Sequence, residues 1–552
     1  MDQNEMQSAY KGTEPGFGCK ASDFYEERRK DRDGVVRVGR RLADMTIPSL
    51  FPPEEYDTSQ DSLAITNQSI NAFLISSCMN ALTLGALPPE LPMCKIEPKE
   101  GKLDADIRGD PALLAEVEYA LSRVEEKHRK RINTTSARTA YGRAMGHLLV
   151  TGNTLCLWTK IDNPRVYSMH HWVVERDAEG WPIGTCLKEE VSLAVVDEDV
   201  ADAIRSHRSA KSISNEGKTP WGDKGTIFHC QKWCKEEDEW LYWQETEGGY
   251  IIPGTDFWSE RETPPMMPSG LMTETGSHYS LGYASIFEGD HQSMEELSAS
   301  FKDGAAALAW FLMFVTPTGQ TDIRQVRGAS NLDVLPGRAE DVTALQTGKA
   351  GDLNFIAAGV ENIARRLGQA YASEASIQRT GERVTAEEWR IMVQALDKAM
   401  GGLYSAIAQT YQRWFIKRFI YLHGKEDKQL AKLPKDLISI DVVTGIDGIG
   451  RSSEYENLMG LGRDLQSLFP KEFEGRAKVE NWAQRLSAGR ALKIEGLMKT
   501  VEEIGAETQQ AQQAGLMDKV AGPMAQGGMD MLKEGMLQQQ MQQAIPEGAA
   551  NG

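Results

Sequence analysis

Hydrophobic residues recur along this chain with two periods, and the switches between them divide it into segments. In the C-terminal third, Trp389, Val393, Leu396, Met400, Leu403, Ile407, Tyr411, Trp414 and Leu422 fall at helical spacings and predict one long amphipathic helix. Thr385 and Glu388 form a capping-box pair that starts it, each side chain satisfying a free N–H of the first turn. Gly401 and Gly402 predict a kink midway. Lys417 and Arg418 suit the negative pole of the helix, and Gly424 predicts a left-handed stop.

Earlier segments follow the same logic. Asp23 and Glu26 predict a capped helix running towards Asp44, interrupted at Gly34 and Gly39 and ended by Pro48, Pro52 and Pro53. A second helix is expected from Gln68 to Leu84. Asp110 and Pro111 open a third, with Leu114, Val117, Leu121 and Val124 on its apolar face and a basic end from Lys127 to Arg131. That end is either a nucleic-acid patch or a set of cations favoured by the helix dipole. A shorter helix, Ala137 to Val150, leads through Gly152 and Asn153 into a strand from Thr154 to Thr159. From Arg165 to Tyr250 the period becomes two, with one hairpin turning at Asp177 to Gly180 and another pairing Thr226 to Trp233 with Trp240 to Gln244. The Trp and Tyr residues there read as sheet core, because no basic residues alternate with them.

Pro264 to Gly282 reads as a crossing segment. Phe287, Met294, Phe301, Leu308 and Val315 then fall seven apart, predicting a helix from Ser285 to Val315 that packs along a neighbour. A small αβ excursion, Thr316 to Asp352, separates it from a helix over Phe355 to Ser373 with Ile356, Val360, Ile363 and Leu367 aligned. Beyond the long helix come a strand, Ile438 to Val443, further helices to about Ile504, and a Gln- and Met-rich tail. The fold class expected is α+β, mainly helical.

Composition narrows the function. The 552 residues carry a net charge of −19, which argues against a protein that coats nucleic acid by neutralising phosphates, though not against one that DNA slides past. The polar start, Met1 to Glu14, lacks a secretory pattern, and the apolar run Ala305 to Val315 is short for a bilayer, so a cytosolic or particle-bound protein without membrane contact is expected. Seven scattered cysteines read as free buried thiols, with Cys230, Cys234 and His229 the weak metal candidate. Thr347, Gly348, Lys349 and Ala350 lack what a phosphate loop needs, and Gly445, Gly448 and Gly450 have no βαβ unit around them. Asp441 and Asp447 lack the converging acids of a two-metal nuclease. Catalysis, cofactors and metals are therefore not expected.

Several longer stretches resemble one family. Gln378, Arg379, Thr380, Gly381, Glu382, Arg383, Val384, Thr385, Ala386, Glu387 and Glu388 are similar to the loop and helix opening of the head-to-tail connector, or portal protein, of autographivirus-type short-tailed bacteriophages. So are Thr46 to Pro52, Val173 to Gly180 and Thr444 to Arg451. The resemblance spans about Ser22 to Gly489 and fades at the N-terminus, in Thr316 to Asp352 and in the tail.

That resemblance implies a portal fold of wing, stem, clip and crown in a ring of twelve copies at one capsid vertex. It would be the channel for double-stranded DNA packaging and ejection and the attachment point of the tail. After a flexible 1–20, the wing would be 21–284 with 385–450, the stem helices 285–315 and 353–375, the clip 316–352, the tunnel loop 376–384 and the crown 451–504, before a tail, 505–552. Stem packing would fall to Met294, Phe301, Leu308, Val315, Val360, Ile363 and Leu367. Partners would be capsid, scaffolding and internal core proteins, the terminase motor, the tail adaptor and DNA held without sequence preference, in virions assembled in the host cytoplasm. Gln378, Arg379, Thr380, Gly381, Glu382 and Arg383 would face DNA, with each arginine either gripping phosphate or bracing the loop through Glu382 or Glu387. Two other classes stay open: a DNA-processing nuclease or ATPase, and a cellular scaffold that assembles without a DNA-wide hole.

Overall fold

The computed structural model describes residues 14–468 except 58–59, 90–92, 99–110, 208–222, 272, 274, 310–311, 320, 329, 331–333, 335, 346–349, 373–401, 428–437 and 443–449, and adds Trp482. Compact units span Met1–Glu474 and Gly475–Gly552, and the described elements fall in the first. The expected tunnel loop, the start of the long helix, the stretch Thr444 to Ile449, the crown beyond Leu468 apart from Trp482, and the tail lie outside the described residues.

The chain opens with α1 (Ala21–Arg29), whose first N–H is capped from far away: Ala21 N donates to Glu245 Oε1 at 2.9 Å, and neither Asp23 nor Glu26 is the cap. A 3-10 turn, Lys30–Arg32, separates it from α2 (Asp33–Met45). The break falls there and not at Gly34 or Gly39, because Arg32 is drawn into the core, where Nη1 donates to Met169 O at 2.6 Å and Trp172 O at 2.9 Å. Next come α3 (Ile70–Ala86), β1 (Cys94–Pro98), α4 (Pro111–Asn133) and α5 (Ala137–Val150).

The period-two region supplies β2 (Asn153–Leu157), β3 (Arg165–Tyr167), β4 (Trp172–Arg176), β5 (Pro182–Ser192), a helix α6 (Glu198–His207), β6 (Lys224–Cys234), β7 (Glu239–Thr246) and β8 (Phe257–Glu260). β4 to β8 form one antiparallel sheet in chain order, the first hairpin turning at Asp177 to Gly180 as its sequence required. Trp172, Trp240, Tyr242 and Trp243 are buried in this region. The expected crossing segment contains a strand, β9 (Met266–Gly270), which completes a sheet ordered β3-β2-β9. Its Pro and Ser disguised it, since Pro268 sits where the strand lies at the sheet's edge.

After α7 (Glu288–Ala309) the chain turns into β10 (Leu312–Val315), α8 (Ile323–Gly328) and β11 (Val342–Leu345) before α9 (Ala350–Ala370). The heptad reading therefore carried the first helix too far. Val315 lies in a strand, paired antiparallel with Val342, and a seven-residue step between Leu308 and Val315 does not distinguish the end of a helix from the start of a β-ribbon. The second helix starts at Ala350, five residues before the expected Phe355, and ends at Ala370.

Gly402, at φ +86°, is the N-cap of α10 (Leu403–Ile407), and the expected helix before it, with its kink at Gly401, lies outside the described residues. A π turn, Ala408–Gln412, joins it to α11 (Arg413–Glu426). α11 runs through Gly424 because α4 holds its end: Arg131 forks onto Glu426 at 2.8 and 2.9 Å, and Lys127 meets Asp427 at 3.0 Å. β12 (Ile438–Val442) pairs with the unanticipated β1, and α12 (Gly450–Leu468) follows.

One large core joins these layers. Trp158 after β2 packs on Phe415 of α11 with ring centroids 4.5 Å apart, and Tyr141 of α5 meets the same ring edge-on at 5.1 Å. Arg418 sits inside this core, donating from Nε to Trp158 O and from Nη1 to Thr263 O, both at 2.8 Å. Among the described residues no helix is long and apolar enough to cross a membrane.

Candidate functional site

The helical hairpin of α7 and α9 leaves the body at a root built from two backbone crossings. α5 ends at Val150 and the chain turns at Gly152, whose φ of +80° only glycine adopts easily. A Cβ there would lie 2.3 Å from the Leu281 carbonyl carbon, and one on Gly282 would lie 2.3 Å from Val150 O. Two glycines thus let the end of α5 and the approach to α7 touch main chain to main chain. Asn153, fully buried, locks the crossing in both directions: its Nδ2 donates to Ser280 O at 2.6 Å and its Oδ1 accepts from Ser280 N at 2.9 Å.

From that root a 3-10 turn, Tyr283–Phe287, feeds α7, and the returning α9 is held against it by aromatic residues. Tyr371, 1% exposed, shares a 2.8 Å hydrogen bond with His291 Nε2, while Tyr283 OH donates to Ala370 O at 3.0 Å. The rings of Tyr283 and Tyr371 meet edge-on at 5.5 Å. Burial pushes His291 down to about 4 and Tyr371 up, so a neutral imidazole faces a protonated phenol. Ala372, at φ +51°, ends the described hairpin immediately before 373–401.

Among the described residues, the buried apolar side chains of the hairpin lie in its root half. Met294, Ile363 and Leu367 are buried and Val360 is half-buried against the core. Phe301 is 41% exposed and Phe355 81% exposed; Leu308 falls in the last turn of α7, and Val315 lies on β10. Carboxylates of α7 act as ties. Glu288 pairs with Arg41 of α2, Asp290 with Arg366 of α9 at 2.6 Å, and Glu295 accepts from Asn67 Nδ2 at 2.9 Å and Gln68 Nε2 at 3.1 Å. Each exposed tie is worth no more than about 1 kcal/mol, but together they fix the hairpin's direction.

Other sequence candidates go elsewhere. The basic end of α4 is tied to carboxylates: Arg129 and Lys130 to Glu126, and Arg131 to Glu426 and Asp162. His229 is engaged on both ring nitrogens, with Glu189 and with Tyr242 OH, each at 2.7 Å, and Cys230 lies 4.0 Å from Cys186 across the sheet. Asp441 lies on β12 opposite Lys95. Among the described residues no three His, Cys, Asp or Glu side chains are grouped to hold a metal. The sequence reading missed Asn153, Ser280, His291 and Tyr371 as a site; the only local signal was Gly152 and Gly282 flanking segments already read as boundaries.

The geometry defines an anchoring device, a helical hairpin clamped at its root to an α+β body. A family model described as bacteriophage head to tail connecting protein matches residues 20–449, and the chain belongs to that family. Its α+β, mainly helical architecture is accordingly the portal fold, and a connector of head to tail is a structural part of the virion. A relative named portal protein from Escherichia phage T7 is 27% identical over 92% of this chain and 93% of its own length. Another of that name, from Enterobacteria phage T3, is 27% identical over 88% and 89%. One from Enterobacteria phage SP6 is 25% identical over 96% and 98%. A solved structure titled as the virion of a native gene transfer agent particle aligns at 13% identity with a TM-score of 0.32, over 76% of this chain and 99% of that one.

Proposed function

We propose that twelve copies of this chain close into a ring at one capsid vertex, forming the channel that double-stranded DNA enters during packaging and leaves at ejection, with the tail attached to the same ring. The observation that carries this reading is the clamped hairpin, whose outer half leaves Phe301 and Phe355 exposed within one copy and which precedes in sequence the expected tunnel loop, 376–384. An apolar helix face left open on a monomer is what a neighbouring subunit covers. In this reading α7 and α9 are the stem, the β10–β11 ribbon and the residues between form the clip towards the terminase motor and tail adaptor, and 451–504 form the crown. Capsid, scaffolding and internal core proteins are further partners, and the ring assembles in the host cytoplasm without catalysing a reaction.

Charge supplies the mechanism. A ring of subunits carrying −19 each repels phosphates over a Debye length of about 8 Å, so DNA slides without being trapped. Arg379 and Arg383, brought together around the axis, grip the backbone without reading sequence. Negative-stain imaging of the purified chain tests the assembly: rotationally symmetric rings with an axial hole are expected. Monomers, or metal-dependent nuclease or ATPase activity of the pure protein, would favour the enzyme reading instead.

A further inference from the structure

Opposite ends of the five-stranded sheet carry features of opposite charge. At one end the β4–β5 turn, β9 and the π turn before α11 enclose a cavity of about 780 Å³. Its walls include Trp181, Pro182, Pro264, Met267 and Trp414, and four cations line it against two carboxylates, Glu179 and Glu262. Lys417 and Glu262 cancel at 2.6 Å, leaving Arg176, Arg261 and Arg413. Arg176 gives its guanidinium to the carbonyls of His278, Gly180 and Pro268. Arg261 lies over the rings of Trp181 and Trp233 and reaches Asp238 only at 3.9 Å, and Arg413 makes no ion pair among the described residues. In a chain as acidic as this one, a cationic cavity with Trp, Pro and Met walls suits an apolar side chain flanked by carboxylates.

Such a group exists at the other end of β5. That strand runs eleven residues from Pro182 at the cavity to Ser192, about 33 Å at 3.3 Å per residue. Beyond it a 3-10 turn, Leu193–Val195, presents Val195 at 75% exposure, followed by exposed Asp197, Glu198 and Asp199 at the start of α6. The turn is held in place, since Leu193 N donates to Asp223 O at 2.9 Å and Leu193 packs with Val200, Ala201, Ile204, Ile227 and Ile252. Among the described residues, Glu198 alone of the three acids meets a cation, Arg205 at 3.4 Å.

We propose that Val195 and the acids after it plug the Trp181, Arg261 and Arg413 cavity of the next copy around the ring. The inference rests on the ring reading above and deepens it. A closed ring needs two different complementary patches on every subunit, and these lie at opposite ends of one sheet. No copy can fill its own cavity, because the two ends stand about 33 Å apart.

The test pairs Val195→Cys with Ala178→Cys on the cavity rim, in a Cys19→Ser background that removes the exposed thiol. Bridged residues need Cα atoms within about 7 Å, so any bond between these two must join separate copies. Mild oxidation of assembled rings should give a covalent ladder that either single cysteine alone does not give. Arg261→Glu with Arg413→Glu should cut ring assembly at fixed concentration by about tenfold or more, and adding Asp199→Lys should restore part of it. Rings that form normally but show neither ladder nor charge effect overturn this contact and leave the ring standing. Absence of rings in the unaltered protein overturns both.

Discussion

Acidification from pH 7 to pH 5 should weaken the body of this protein, and His147 shows why. It is fully buried in α5, and neither ring nitrogen has a hydrogen-bond partner among the described residues. Burial, helped by the charge of Arg143, pushes its imidazolium down to about 3. The folded value is therefore below the unfolded one of about 6.5, so the unfolded chain binds the extra proton. Stability from keeping this ring neutral is complete above the unfolded value and is lost as pH falls towards 3. At pH 5 the loss is roughly 2 kcal/mol, from about 1.5 units at 1.36 kcal/mol each. Replacing His147 by Phe keeps a ring in place and removes the titration. Repacking shifts the absolute stability, so the quantity to read is each protein's difference between pH 7 and pH 5, from urea unfolding followed by tryptophan fluorescence. The variant should lose about 2 kcal/mol less than the parent over that interval. Equal losses within about 0.5 kcal/mol would refute the buried neutral imidazole as a source of acid lability.

Arg418→Met should cost about 3 kcal/mol in the same unfolding assay, since two core carbonyls and Ser259 Oγ lose a charged donor, while removing the exposed Arg365–Glu361 pair should cost under about 0.5 kcal/mol. Gly282→Ala should cost over about 3 kcal/mol or abolish soluble protein, because its Cβ meets main-chain atoms of Leu149 and Val150 that cannot rotate away; soluble yield and melting temperature read this directly. Arg379→Ala with Arg383→Ala should leave rings intact but lower the DNA content of particles, measured by plaque titre and by the filled fraction in micrographs. Full titre with DNA-filled particles would discard the gripping role.

Local pattern told most where the physics is local. The helix from Ala137 to Val150 and the hairpin turning at Asp177 to Gly180 follow from periodicity and turn residues a few positions apart. The helix stop expected at Gly424 failed because ion pairs from a helix some three hundred residues earlier hold the chain helical to Glu426. β1 went unseen for a related reason: Cys94 to Pro98 is a short run whose partner, Ile438–Val442, is remote in sequence. The root of the hairpin was illegible for the same cause. Asn153 and Ser280 are 127 positions apart, and nothing in either neighbourhood signals the other. Even so, the segments flanking Gly152 and Gly282 were already readable as boundaries, and the structure brings those two boundaries into main-chain contact.

A portal ring differs from an enzyme or a scaffold in where the chain sits and in how many copies. Reconstruction of intact virions without imposed symmetry, combined with its mass ratio to the major capsid protein, should place a single ring of twelve copies at the one vertex where the genome enters. One copy per particle, or copies spread over many vertices, would contradict the account.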